Sequence, residues 1–242
     1  MALDPETTIR WYGHSCWEIT TPGGKTVIID PWFGNPSSPK PPDAVDRCDL
    51  LLVSHSHFDH FGDALIVGSR TRPAWPAMHE LSLWLSRNFA HKDLVVGMNK
   101  GGTVEMVGLR ITMVRADHSA GDLYAGAESP LYLGEPVGFI IELENGFRIY
   151  YAGDTDVFGD MRLIADRYRP RVAMLPIGGH FTMDPAGAAM AVELLGVEDV
   201  IPMHYGTFPI LAGTPDQLRA ALAARGLSRV TVHATTPGET IS

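Results

Sequence analysis

The run Ser54-His55-Ser56-His57-Phe58-Asp59-His60 follows directly on the apolar stretch Leu50–Val53, and within six residues it carries three imidazoles and a carboxylate. A buried strand that stops at such a cluster constrains the fold strongly. The strand end must reach a solvent-accessible edge, and the sheet behind it must be rigid enough to aim the rings. Imidazole nitrogens and carboxylate oxygens are the donors that zinc and related divalent metals accept. Histidines merely left on a surface turn would need no companions elsewhere. Companions are present: His118 in RADHSAG, Asp154 in YAGDTDV and His204 in PMHYGTF each follow an apolar stretch of strand character and sit in a glycine-rich or polar loop.

The surrounding pattern is mixed. Thr8–Tyr12, Cys16–Thr20 and Thr26–Asp30 read as short strands, with TPGG as a turn between the last two. Asn35–Asp46 is rich in Pro, Ser and Asp and reads as loop, and Met78–Phe89 has helical spacing of Leu81, Leu85 and Phe89. Leu94–Val96, Thr103–Val107, Leu109–Val114, Pro136–Glu142, Phe147–Tyr150, Val172–Pro176, Val200–Pro202 and Arg229–Val232 read as strands. Val157–Arg167, Pro185–Leu195 and Thr214–Ala224 read as helices, the last opened by Thr-Pro and closed by Arg-Gly. Two mixed sheets packed together, with helices on their outer faces, accommodate this order. No linker or short repeat divides residues 1–242, which read as one domain of two similar halves.

Bulk composition excludes several classes. A formal charge of -9 disfavours a basic nucleic-acid groove, although bound cations can serve a phosphate-containing substrate without one. Cys16 and Cys48 supply neither a disulfide framework nor a CxxC ligand pair. The polar opening MALDPETTIR is no signal peptide, and no long apolar run suggests a membrane span, so a cytoplasmic location is expected. Neither Gly153 nor Gly178-Gly179 belongs to a nucleotide-binding fingerprint.

The segments RWYGHSC, DPW, SHSHFDH, ADHS, YAGDTD, LPIGGHFTMDP and PMHYGTF together resemble the metallo-β-lactamase fold superfamily, and within it the UlaG-like, or UPF0173, metal-dependent hydrolases. The resemblance covers nearly the whole chain. It implies an α/β, four-layer αββα sandwich with metals at one edge of two mixed sheets. It also implies a division of labour: His55, His57 and His118 for one ion, Asp59, His60 and His204 for a second, and Asp154 as the bridge. Two divalent ions about 3.5 to 4 Å apart can hold a bridging hydroxide near neutral pH, so no Ser or Cys nucleophile is needed. Zinc fits the donor set, and manganese, iron, cobalt or nickel can occupy similar arrangements.

Further residues have two readings each. His14 in YGHSC is either an exposed turn histidine or, as the resemblance suggests, a site-wall group that contacts substrate or protonates a leaving group. Asp30 in IIDPW either fixes its loop or orients a ligand histidine from behind. His180 is a substrate contact, an acid catalyst or an ordinary loop residue. Asp59 combines ligation with orienting the attacking solvent. Residues 119–134, with Tyr124, Leu131, Tyr132 and Leu133, form a lid, a pocket wall or a packed loop, and Tyr205–Pro209 an aromatic rim. The five tryptophans read as packing residues. The expected activity is hydrolysis of a small ester-like substrate, a phosphodiester or a lactone. The alternative is a catalytically weak metal-dependent binding or structural protein. A small molecule is the expected partner, with a homo-oligomer as the expected assembly.

Overall fold

The computed structural model describes residues 3–123 and 128–242. Tyr124, within the expected lid, lies outside the described residues.

Two mixed sheets form the centre. The smaller runs in the order Thr240–Ile241, Thr8–Trp11, Trp17–Thr20, Thr26–Ile29, Leu50–Leu52, antiparallel throughout except for its last, parallel pair. The larger has seven strands in the order Thr231–Val232, Asp199–Met203, Val172–Pro176, Arg148–Tyr151, Val137–Glu142, Leu109–Arg115, Thr103–Met106. Its first four strands are parallel and the rest antiparallel.

Alternation along the strands builds the layers, because successive side chains point to opposite faces. Phe139, Ile141, Ile149, Tyr151, Met174 and Ile201 join a core shared with Ile9, Trp17, Ile29 and Leu52 of the smaller sheet. Their neighbours Ile140, Tyr150, Ala173 and Val200 face the other way, against Met161, Ala188, Val192, Leu218 and Leu222. Those residues belong to helices Met161–Tyr168, Pro185–Leu195 and Pro215–Ala224, while Ala64–Thr71 and His79–Asn88 cover the first half. The result is the expected helix–sheet–sheet–helix sandwich.

The structure departs from the sequence reading at several places, among them three near or behind the site. Trp75–Met78 is a fully buried strand paired in parallel with Val95–Met98, hidden in the sequence because Pro76 is depleted from strands. The helix expected from Val157 begins at Met161, since Val157 N–H is held by Asp156 Oδ1 in a local turn. Residues 119–134 contain a small antiparallel ribbon, Gly121–Asp122 with Leu131–Tyr132. Among the described residues, no helix is long and apolar enough to cross a membrane.

Candidate metal centre

The candidate donors lie just beyond strands, in a hairpin or, for Asp59 and His60, in the short helix Phe58–Phe61, and the hydrogen bonds show that these segments meet. His204 N–H donates to the His14 carbonyl at 3.0 Å, and Val137 N–H to the Ser54 carbonyl at 3.0 Å, so the two sheets are tied together at this edge. Asp117 N–H donates to Thr155 Oγ1 at 2.9 Å, fixing the His118 loop against the Asp154 loop. His14, Asp30 and His204 all adopt left-handed backbone, with φ of 54, 45 and 54°. Such conformations cost about 1–3 kcal/mol each for a non-glycine residue, and surrounding contacts must hold them. Gly153 turns the chain into Asp154 with φ 63°, and a Cβ there would stand 2.7 Å from Val137 O and 2.9 Å from Ser54 Cβ.

The outward nitrogens of two rings are assigned by their neighbours. Buried Asp30 accepts Ser54 N–H at 2.7 Å on Oδ1. Its Oδ2 accepts the Ser54 hydroxyl at 2.6 Å, the Tyr151 hydroxyl at 2.6 Å and His60 Nδ1–H at 2.7 Å. With its hydroxyl proton committed to Asp30, Ser54 Oγ accepts from His55 Nδ1–H at 3.0 Å. His55, and His60 once it gives up its Nε2 proton, therefore present an Nε2 lone pair toward the centre, as a carboxylate or hydroxyl behind a ligand histidine arranges. Asp30 thus takes the ring-orienting role, in addition to fixing its own loop.

The donor atoms converge in three overlapping groups, each within 4.8 Å: His55, His57 and His118; His55, His60 and Asp154; and His14, Asp59, His60 and His204. Asp154 Oδ2 lies 3.2 Å from His60 Nε2, 2.9 Å from His204 Nε2 and 3.7 Å from His118 Nε2. Nevertheless His60 Nε2, both His204 nitrogens and Asp154 Oδ1 are buried without a hydrogen-bond partner. Buried polar atoms are rarely left so, because the desolvation cost is about 1–3 kcal/mol each. Donors that crowd together without bonding one another fit a cation at their common focus. The His/Asp set can hold one or two metal ions.

Burial and neighbouring charges compete at each titratable group of the centre. Burial pushes His14 down to about 4, helped by His204 and His60 and opposed by Asp59. Burial also lowers His55, His57 and His118, so these rings are neutral and available as ligands. Burial opposes charge on His60 as well, but Asp154, Asp30 and Asp59 outweigh it and raise His60 well above its ordinary value. For Asp154, burial is outweighed by His204 and His60, and for Asp59 by His60 and the His14 hydrogen bond, so both carboxyls are held low. A divalent cation could take the place of the proton that His60 otherwise carries.

His14 is fully buried, contrary to an exposed turn histidine. Its Nε2 meets Asp59 Oδ2 at 3.0 Å and its Nδ1 meets Thr207 Oγ1 at 3.0 Å. A neutral ring with Nε2–H donates to Asp59 and accepts the Thr207 hydroxyl. His180 is not brought to the centre: it is exposed, has φ 61° and lines a separate depression with Gly178, Asp184 and Gly213. Its neighbour Phe181 instead reaches a cavity of about 310 Å³ over the donors, which His57, Phe58, Asp59, His118 and Asp122 also line.

The sequence reading missed Ser54, Tyr151, Thr207 and Asp122. Asp122 Oδ2 accepts Phe58 N–H at 2.6 Å, capping the short helix Phe58–Phe61 that carries Asp59 and His60. From the 119–134 segment, Ser119, Gly121 and Asp122 line the cavity, Leu133 is buried and Tyr132 is exposed. Trp11, Trp17 and Trp75 are core residues as expected, whereas Trp32 lies against His14, Phe58 and Phe208 at centroid distances of 5.2, 5.4 and 6.0 Å.

Comparison with known proteins agrees with this geometry. The beta-lactamase superfamily domain model matches residues 8–204. A UPF0173 metal-dependent hydrolase of Roseiflexus sp. (strain RS-1) is 46% identical, with 98% of each chain covered. Another from Rubrobacter xylanophilus is 43% identical, covering 96% of this chain and 95% of that one. Among solved structures, Igni18, a metallo hydrolase from the hyperthermophilic archaeon Ignicoccus hospitalis, superposes with a TM-score of 0.84 at 35% identity over 97% of both chains. With the sandwich, the convergent His/Asp edge and these relatives in agreement, the chain belongs to the UPF0173 family of the metallo-β-lactamase superfamily.

Proposed function

We propose that the chain is a hydrolase using two divalent ions, zinc by donor chemistry, on a small ester-like substrate such as a phosphodiester or lactone. His55, His57 and His118 hold one ion, and Asp59, His60 and His204 the other, with Asp154 shared between them. The observation that carries this reading is the set of unpartnered buried atoms on His60, His204 and Asp154. Two donor groups, one holding His55 and the other His60, joined by a third that contains both residues with Asp154, support a pair of neighbouring ions over a single one.

When bound, such ions supply a water ionised near neutral pH and polarise the electrophilic centre. The chain's own groups hold the reacting parts and handle the proton. Asp59 orients the attacking water and takes its proton. His14, with both nitrogens already engaged by Asp59 and Thr207, holds that carboxylate in place and does not itself bind an ion. From Asp59 the proton passes to the departing oxygen. His180 lines a separate depression and so is assigned no role in this reading. The UPF0173 relatives bear the name of metal-dependent hydrolases, which supports the reaction class and leaves the substrate open.

The test combines elemental analysis of protein purified without added metal with turnover of an ester, lactone and phosphodiester panel after reconstitution with zinc, manganese, iron, cobalt or nickel. Two ions per chain and turnover lowered at least a hundredfold by Asp59→Asn are expected. A single ion under every condition would remove the dinuclear assignment. Metal uptake with no turnover on any substrate would leave a metal-dependent binding protein.

A further inference from the structure

We infer, building on the hydrolase reading above, that the site takes an uncharged ester or lactone with an apolar substituent, gripped by Phe58 and Phe181 and screened against anionic groups by Asp122.

Phe58 and Phe181 line the cavity over the donor cluster from different segments, and their side chains are 56% and 58% exposed. Neither belongs to a core cluster. Both are nonetheless fixed in place. Phe58 is pinned through its N–H to Asp122, and its ring stands edge-on to Trp32 at 81°. Phe181 N–H donates to the Gly179 carbonyl at 2.7 Å, and its ring stands at 90° to His180. Two exposed, held aromatic faces at the mouth of a polar site offer an apolar substituent burial worth about fourfold in affinity per CH₂ group.

The charge at that mouth points the same way. Asp122 has Oδ2 on Phe58 N–H and Oδ1 on Leu123 N–H at 2.7 Å, so its negative charge is fixed beside the opening. Among the described residues lining this cavity there is no Lys or Arg. Lys100 and Arg115 line an adjoining depression beyond His118, where Glu135 pairs with the first and Asp117 and Asp160 with the second. A carboxylate or second phosphoryl oxygen projecting away from the reacting centre meets Asp122 and finds no Lys or Arg at the mouth, whereas a neutral substituent meets two phenyl rings. In the reaction, water adds to the ester carbonyl carbon and the carbon–oxygen single bond breaks. The acid and the alcohol separate, the water's protons being shared between the departing alcohol and the medium.

The decisive comparison uses the zinc-loaded protein and substrates with one leaving group: p-nitrophenyl acetate, p-nitrophenyl butyrate, the anionic p-nitrophenyl succinate monoester and bis(p-nitrophenyl) phosphate. Butyrate is expected to exceed the succinate monoester at least tenfold in kcat/KM at low salt, and acetate by about the same factor. Asp122→Asn should raise the ratio of succinate to butyrate kcat/KM severalfold. Phe58→Ala and Phe181→Ala should each lower the ratio of butyrate to acetate kcat/KM about fivefold. Binding of the amide N-phenylbutyramide, followed by tryptophan fluorescence, provides a readout that needs no turnover. Should no ester turn over while the amide binds and Phe58→Ala weakens it, the hydrolase reading falls and the neutral, apolar ligand class stands. Preference for the succinate monoester or the phosphodiester, or amide binding indifferent to both phenylalanine changes, overturns the inference even if the protein is an active hydrolase.

Discussion

Replacing Asp30 by Asn tests the idea that the centre is organised from behind. The substitution is nearly isosteric, and the amide oxygen can still accept Ser54 N–H from the Oδ1 position. The NH₂ group then occupies the Oδ2 position, where Ser54 Oγ, Tyr151 Oη and His60 Nδ1 stand at 2.6, 2.6 and 2.7 Å, all of them donors. Tyr151 can redirect its proton to the Ser15 carbonyl at 3.1 Å, so that bond is partly recovered. His60 Nδ1 has only Ser54 Oγ at 3.4 Å to turn to, and Ser54 already serves His55. One charge-assisted bond is lost outright and one donor pair is left in conflict at a fully buried position, a cost of about 3–4 kcal/mol. For a chain of this size that corresponds to a melting temperature lower by roughly 6–16 °C. The His60 ring loses the acceptor that fixes its tautomer, so zinc affinity should fall about 10–100-fold. Thermal unfolding with and without chelator measures the first quantity, and competition against a chromophoric zinc chelator the second. A variant within 1 kcal/mol of wild type that also binds zinc within threefold would refute the argument that Asp30 orients His60.

Other perturbations read separate parts of the same edge. In chelated protein, His14 binds its proton only near pH 4 when folded but near 6.5 when unfolded, and burial shifts His55 the same way. Stability should therefore fall as pH drops from about 6.5 to 4, by up to about 1.4 kcal/mol per pH unit for each such group. His60, raised when folded, is protonated in both states throughout that window, and Asp59 and Asp154, lowered when folded, lose their contributions only below about 3.8, so neither offsets the slope. Equal denaturant midpoints at pH 4.5 and 6.5 would contradict it. Gly153→Ala forces an L side chain into φ 63° and against Val137 O, and should cost about 2–4 kcal/mol in chemical denaturation while the equally left-handed Gly226→Ala, with open space around it, costs only about 1. Thr207→Val leaves His14 Nδ1 without a donor and should lower kcat about tenfold with little change in melting temperature. Thr207→Ser should restore it, and an unchanged kcat in Thr207→Val would detach Thr207 from the site.

How much of this was legible in the sequence depended on whether a residue's partner was local or distant. The seven candidate donors could be found because each directly follows a stretch with strand character, and a strand end is visible as an apolar run meeting a glycine or a polar loop. The sandwich was legible from the order of strand and helix stretches and from the family resemblance, whereas the faces of Val137–Glu142 and Arg148–Tyr151 were not, because these strands are buried on both sides. What the sequence concealed was long-range pairing. Tyr151 reads as one more core aromatic of its strand, and only the packing of one sheet on the other, which brings its hydroxyl to Asp30, 121 positions away, makes it part of the clamp on His60. Asp122 and Phe58, separated by 64 positions, look like a loop acid and an exposed aromatic until the ribbon folds back to cap the helix. His14 was misleading in a different way. Flanked by Gly and Ser between two strands, it has the composition of an exposed turn, yet its burial follows from the His204 backbone bond that draws the hairpin against the opposite sheet. The left-handed backbone at His14, Asp30 and His204 carries no compositional mark, because glycine is what that conformation ordinarily selects. A side chain retained at such a cost must be needed there, and at all three positions it either points into the donor cluster or clamps a ring that does.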